Sequence, residues 1–346
     1  MTPYGWQTGD VIGDLAGRPV IVAPMAGGPS SVGLVTAAAA AGAVAFLPAG
    51  YKTAQAMRSD IEAVQAATDG RFGVNVFVPG GPAADQDALA RYLAAVAGDP
   101  ALVAPPGEAT WDDDDWPAKV ADLTRRPVPV VSFTFGCPEP DVVSALRAAG
   151  SSVWVTVTEA REAAAAVLAG ADCLCVQGSE AGAHRGTFTN QPGSPAGTLE
   201  LVAAIRTATD VPLVAAGGIM TAADVAAARH AGAAAVQCGT AFLRCPESGA
   251  HPVYKAALAD PRYTETAVTR AFSGRPARGL VNTFMREHPD APAAYPEINN
   301  ATRPVRAAAA AAGDPDRMSL WAGRGYRAAT TRPAGEVIEI LCERAG

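Results

Sequence analysis

Short apolar runs alternate along the chain with alanine-rich stretches of helical period. Eight runs read as strands: residues 19–23, 43–47, 71–77, 128–133, 152–156, 172–176, 212–216 and 233–237. They are bounded mostly by glycine or proline and carry continuous rather than alternating hydrophobicity, as strands buried on both faces do. Helices are expected at 32–41, 54–67, 140–149, 159–169, 199–207 and 222–230. Two of these run into Ala-Gly-Ala turns at Gly170 and Gly232, where glycine ends a helix in a left-handed conformation. Strands that alternate with helices pair in parallel through right-handed crossovers. Eight such units predict an α/β fold, a closed (β/α)8 TIM barrel rather than an open sheet. The open sheet expects a GxGxxG turn, and the glycine-rich first turn at 27–33 has the wrong spacing. No GxxxxGK[ST] phosphate loop occurs.

Two segments break the repeat. Residues 80–127 exceed one crossover and contain Pro105-Pro106 and the acidic run Asp112–Asp115, which reads as a solvated loop. Residues 246–319 follow the eighth strand, rich in proline and aromatics, with an Ala-rich helix at 305–312. They are expected to form a smaller, mostly helical region capping the barrel mouth. The barrel itself is assigned residues 1–245 and 320–346, its last helix at 336–344.

Composition narrows the classes. Hydrophobic residues make up 49% and charged residues 18%, a globular balance. The net charge of −7 without a basic block argues against nucleic acid as a partner. No uninterrupted apolar run is long enough to cross a membrane, and Met1–Asp10 lacks the basic and apolar parts of a signal peptide. Six scattered cysteines without CxxC or HExxH read as reduced thiols of a cytoplasmic protein, with no metal site. None of this sets an oligomeric state.

In such a barrel the chemistry gathers where strands end. The stretch 172–188 is the most informative: a buried strand, Gln177 at its end, then Gly178, Gly182 and Gly186 with Glu180, His184 and Arg185 between them. So much glycine brings backbone close to a ligand or allows positive φ. A histidine there stands in a loop at the barrel mouth. After the seventh and eighth strands, Gly217-Gly218 and Gln237-Cys238-Gly239-Thr240 precede helical turns. Such turns present N–H groups to a phosphate, and they equally suit tight strand-to-helix packing. Asn75 and Gln177 can donate and accept together, which suits the pyrimidine edge of a flavin or a tie across the barrel rim.

At these residues the chain resembles the nitronate monooxygenase family, formerly called 2-nitropropane dioxygenases. The matching pieces are Ala23-Pro-Met-Ala-Gly-Gly28, Gly73-Val-Asn-Val-Phe77, Gln177-Gly-Ser-Glu-Ala-Gly-Ala-His-Arg-Gly186, Ala216-Gly-Gly-Ile219, Gln237-Cys-Gly-Thr-Ala-Phe242 and Ala271-Phe-Ser-Gly-Arg-Pro-Ala-Arg-Gly279. The resemblance implies a barrel holding non-covalent FMN that oxidises alkyl nitronates with O2 to carbonyl compounds and nitrite. It implies FMN contacts at Ala23, Pro24, Met25, Asn75, Gln177, Gly182, Gly217, Gly218, Gln237, Cys238, Gly239 and Thr240. His184 matches the family's catalytic histidine, as a donor or cation to the nitronate or a base toward a neutral nitroalkane. Glu180 and Arg185 are expected to orient the loop, and Tyr51, Lys52 and Tyr295 to form pocket wall. Ala183 departs from the family, which usually has glycine there; the change is mild unless the position needs positive φ. Two alternatives stand beside this reading: an FMN-dependent NAD(P)H reductase of quinones or enoyl thioesters on the same fold, and a non-catalytic FMN-binding protein.

Overall fold

The computed structural model describes residues 17–68 and 72–343. The signal-peptide reading of Met1–Asp10, the strand residue Arg71 and the helix residue Arg344 lie outside the described residues. Eight parallel strands close into a barrel: β1 Val20–Val22, β2 Val44–Pro48, β3 Phe72–Phe77, β4 Val130–Thr134, β5 Ser152–Val157, β6 Cys173–Gln177, β8 Leu213–Ala216 and β9 Ala235–Cys238. All eight lie within two residues of their expected limits. Closure comes from β1, whose Ile21 is level with Val44 of β2 and with Gln237 of β9. The barrel lumen is filled by Ile21, Val44, Phe46, Val130, Trp154, Cys173, Val214 and Ala235, so it is a packed core. A larger apolar layer joins the outer strand faces to the surrounding helices.

The helices form because alanine-rich segments have high helical propensity and good caps. Ser31, Thr53 and Thr221 each accept a hydrogen bond from a backbone N–H in the first turn. Gly170 and Gly232 follow their helices at φ +94° and +110°, as the Ala-Gly-Ala turns predict. Gly73 in β3 has a different reason: a Cβ there would stand 2.3 Å from the Phe46 ring in the lumen. Gly73→Ala is therefore expected to overpack the barrel and lower stability by about 1–3 kcal/mol. Denaturant unfolding checks this; an unchanged midpoint would show that Phe46 can move aside.

The segment 80–127 is more ordered than expected. It contains helices Gln86–Ala97 and Trp116–Arg125. Leu89, Tyr92 and Val96 of the first pack with Ala271, Phe272, Phe284 and Ile298 from the region after the barrel. The acidic run is a loop, as expected, but only partly solvated: Asp112, Asp114 and Asp115 accept hydrogen bonds from Asn300, Tyr51 and Ala54.

After β9 come helices Pro252–Ala257, Thr283–Glu287 and Glu297–Ala312, the last containing the expected 305–312 stretch. Between them lies a hairpin that the sequence reading did not place, β10 Thr266–Thr269 and β11 Ala277–Leu280. Its second strand pairs with a two-residue strand, β7 Ala183–His184, in the loop after β6. The chain then returns to the barrel through helix Ala334–Cys342, which packs near β1. Among the described residues no helix is long and apolar enough to cross a membrane.

Candidate active site

A cavity of about 580 Å³ opens at the C-terminal ends of the barrel strands, within the range of about 300–1,000 Å³ typical of small-molecule sites. His184 and all twelve residues expected to contact FMN lie on its wall, whereas Tyr295, Glu180 and Arg185 stand behind it. Ala23, Pro24 and Met25 come from the turn after β1, Asn75 from β3, and Gln177 from the end of β6. Gly182 and His184 come from the loop after β6, Gly217 and Gly218 from the turn after β8, and Gln237, Cys238, Gly239 and Thr240 from the end of β9. Tyr51 also lines the cavity; Lys52 instead pairs with Asp60.

The loop after β6 is held from several sides. Gln177 Nε2 donates to His184 O at 3.0 Å, and its Oε1 accepts from Gly186 N at 2.8 Å. Both ends of this amide thus tie the loop. Arg185 is buried and donates to Gly178 O and Ser194 O. Glu180 accepts from Thr198 N and Oγ1, both at 3.0 Å. A Cβ on Gly182 would meet backbone nitrogen of Gly323 at 2.5 Å, so this glycine serves a close chain crossing. Ala183 has φ +61°, the left-handed conformation that glycine adopts without penalty. Ala183→Gly is expected to stabilise the fold by up to about 1 kcal/mol, measured by thermal unfolding. A lower midpoint would mean that the Ala183 methyl packs usefully.

Strand pairing aligns His184 with Ala277 of β11. His184 Nε2 lies 2.8 Å from Ser273 Oγ, which in turn donates to Arg275 O at 3.2 Å. The imidazole is ringed by Phe135, Tyr295 and Trp321, with centroids 5.5–5.7 Å away. It keeps some accessible surface on the cavity but is enclosed by these walls. Burial, reinforced by the charges of Arg275 and Arg306, pushes its pKa down to about 3. His184 is therefore neutral near pH 7, and the cationic form considered from sequence is not the resting one.

The positive charge sits elsewhere. Arg275 stacks over Phe135 at 4.1 Å, and Arg306 and Arg303 line the cavity from helix Glu297–Ala312. Among the described residues none of the three forms an ion pair with a carboxylate. Arg306 donates to Asn299 O and Oδ1, while its Nε has no partner. Burial lowers both Arg275 and Arg306 to about 10, which leaves them charged. Sequence reading passed over Ser273, Arg275 and Arg306. The first two stood in a matched motif without a role; the third is a lone charge entering an alanine run.

Another part of the cavity wall is formed by backbone. Among the described residues no acceptor takes the N–H of Gly218, Gly239 or Thr240. Gly217 and Gly218 sit at φ +118° and +73°, and a Cβ on either would crowd Ala181 or Glu180. Their glycines are thus required by conformation and packing. Gly239 differs: its φ is −107°, and a Cβ would meet Met25 Sδ at an ordinary 3.4 Å. Asn75 Nδ2 is committed to Ser132 Oγ at 2.9 Å and Thr134 Oγ1 at 3.0 Å inside the barrel. Cys175 and Cys238 also line the cavity, and burial pushes both thiols up to about 12, so neither is a nucleophile. Away from the cavity, Asp99, Glu287 and His288 converge, but Arg317 already pairs with both carboxylates.

The five non-glycine residues with positive φ among those described are Tyr51, Asp114, Asp115, Phe135 and Ala183. Three line the cavity, and the other two hold the backbone of the Tyr51 turn. Backbone strain of this kind collects at functional sites.

Known proteins share this fold over nearly the whole chain. The structure of nitroalkane oxidase from Streptomyces ansochromogenes superposes with a TM-score of 0.91 at 48% identity, covering 95% of each chain. FabK from Thermotoga maritima superposes at 0.72 with 27% identity, covering 96% of this chain and 93% of its own. The nitronate monooxygenase of Pseudomonas aeruginosa is 39% identical over 338 residues, 94% of this chain and 95% of that protein. The family description of nitronate monooxygenase matches residues 11–344. With the motifs, the barrel and nearly the full length in agreement, the chain belongs to the nitronate monooxygenase family.

Proposed function

We propose that the protein is an FMN-dependent nitronate monooxygenase, oxidising alkyl nitronates with O2 to carbonyl compounds and nitrite. One observation carries the reading: a single cavity has, on one part of its wall, backbone N–H groups without an acceptor among the described residues and, on another, aromatic rings with Arg303 and Arg306, which pair with no described carboxylate. The first part suits a phosphate and the second a small anion.

In this reading Gly218, Gly239 and Thr240 hold the FMN phosphate through backbone N–H groups. Ala23, Pro24, Met25, Gly182, Gly217, Gln237 and Cys238 shape the wall along the cofactor. Asn75 offers its oxygen to the ring edge, and Gln177 contributes through the loop it fixes. FMN supplies the electron transfer to O2.

The protein's own groups then bind and orient. Arg275 and Arg306 make the chamber electropositive without neutralising it in advance. Phe135, Tyr295 and Trp321 exclude water, which strengthens every charge inside. With Nε2 of His184 held by Ser273, the other ring nitrogen takes the α-proton of a neutral nitroalkane in the tautomer protonated at Nε2, or donates to a nitronate oxygen in the opposite tautomer. Proton abstraction would create an imidazolium beside a new anion, and that pairing raises the histidine's proton affinity as the step proceeds. Residues 246–319 act as a cap that narrows the chamber. The unpaired cysteines fit the reducing cytoplasm.

The test is to purify the protein, record its visible spectrum, identify the released flavin, and follow oxygen uptake with ethyl nitronate and with NADH. Yellow protein, releasable FMN and nitronate-dependent uptake are expected. Absence of flavin after reconstitution, or rapid anaerobic bleaching by NADH without nitronate turnover, would overturn the proposal.

A further inference from the structure

The acidic run at 112–115 carries a role that its composition hides. Asp114 Oδ1 accepts a hydrogen bond from Tyr51 N at 2.8 Å, and Asp115 Oδ2 accepts from Ala54 N at 2.6 Å. Together the two carboxylates clasp both sides of the turn between β2 and the following helix. Asp114 Oδ2 lies 2.8 Å from Nζ of Lys119, whose side chain is 0% exposed. Tyr51, Asp114 and Asp115 have φ of 65°, 54° and 56°. Left-handed backbone costs an L-residue about 1–2 kcal/mol, and a buried ion pair gains little over apolar packing. Stability alone does not account for such an arrangement.

Its product is the placement of one side chain. The Tyr51 ring stands on the cavity wall, edge-on to Phe77. The Tyr295 hydroxyl donates to the Tyr51 oxygen at 3.3 Å, and the Tyr295 ring lies 5.7 Å from His184. With its oxygen already accepting, Tyr51 has its own O–H left to donate into the chamber. Gly50 could not be replaced to achieve the same turn, since a Cβ there would stand 2.2 Å from Phe77.

We infer that Asp114 is a positioning residue whose hydrogen bond clamps the Tyr51 turn, so that the Tyr51 hydroxyl binds the O–N–O head of the anionic substrate. The inference rests on the nitronate reading of the cavity. Asp114 touches no substrate; it acts through Tyr51.

Two double variants isolate the clamp. Asp114→Asn with Lys119→Met removes the charge pair but keeps an acceptor for Tyr51 N, and asparagine tolerates the left-handed conformation. Asp114→Gly with Lys119→Met removes the pair and the acceptor, and glycine accepts the same φ. The readouts are KM and kcat for ethyl nitronate, flavin content, and the Kd for nitrite by calorimetry. Nitrite carries the same O–N–O group and needs no turnover. The glycine variant is expected to raise KM and nitrite Kd about tenfold to hundredfold, the loss of one hydrogen bond to a charged group. Its kcat and flavin content should stay near wild type, and the asparagine variant should bind nitrite like wild type. Tyr51→Phe leaves the clamp intact and should raise nitrite Kd to the same extent; combined with the glycine variant it should add nothing further. If the glycine variant does not fold, unchanged nitrite binding in Tyr51→Phe still overturns the inference. Unchanged nitrite binding in Tyr51→Phe, equal effects of the asparagine and glycine variants, or no nitrite binding by wild type would each overturn the inference. Wild-type protein that binds nitrite but takes up no oxygen with ethyl nitronate would instead sink the functional proposal and leave the clamp standing.

Discussion

His184→Asn is expected to lower turnover of neutral nitroalkanes by about 10²–10⁴-fold, the usual cost of losing a general base. The loss on preformed nitronates should be smaller, because an amide still donates a hydrogen bond. Flavin content should not change, since the neighbours that fix the loop are Gln177, Glu180 and Arg185 rather than the imidazole. The two substrates need separate assays, because nitroalkane stocks form nitronate in alkaline buffer. Near-wild-type rates on both would remove His184 from the mechanism. The low pKa adds a pH expectation. In the folded protein His184 takes up its proton only near pH 3, whereas in the unfolded chain it does so near 6.5. Its contribution to stability is therefore complete above about pH 6.5 and is lost progressively as pH falls toward 3. Replacing His184 by Asn should flatten that part of the stability profile; an unchanged slope would place the acid sensitivity elsewhere.

Gly239→Ala should raise the dissociation constant for FMN by about tenfold to hundredfold, equivalent to one hydrogen bond to a charged group. Gly239 is the informative glycine because its φ is negative and a methyl there meets only ordinary contacts. A bulky residue at Gly218 would also lower occupancy, but φ +73° and the proximity of Glu180 would strain the loop whether or not phosphate binds. Fluorescence titration of apoprotein with FMN, alongside thermal unfolding of the apo form, separates the two causes. Weaker binding at equal apo stability is expected. Full FMN affinity in Gly239→Ala would show that the turn after β9 does not approach the phosphate.

The barrel was readable because each strand is a short apolar run, buried on both faces and ended by glycine, proline or a polar residue. The pattern alone implied where the strands end, and so where the cavity lies. Helix Gln86–Ala97 was also written in its sequence, as Leu89, Tyr92 and Val96 at helical spacing, but the surrounding alanines and prolines obscured it. The hairpin was not readable in the same way: Thr266–Thr269 is only partly buried and four residues long. The clamp lay further out of reach. Asp114 resembles any exposed acid until the fold brings it to Tyr51, 63 positions earlier. Gln177 could be recognised as a rim amide, but not that both its ends would be used by the loop. The low pKa of His184 comes first from burial and then from the charges of Arg275 and Arg306, all of which only tertiary structure delivers.

The pairing of β7 with β11 limits how substrate can enter. His184 belongs by chain connection to the barrel, yet its backbone is registered against Ala277 beyond β9. If the later segments swung away as a rigid lid, they would either pull this strand with them or break its ladder, and the imidazole would lose Ser273 in the process. Admission by such a swing would dismantle the machinery at each cycle. Passage is better served by side-chain movement at the rim, where Arg303 is exposed on one turn of helix beside Arg306. Exchange of substrate and product would then run at rotamer speed, with the reacting geometry kept assembled between turnovers.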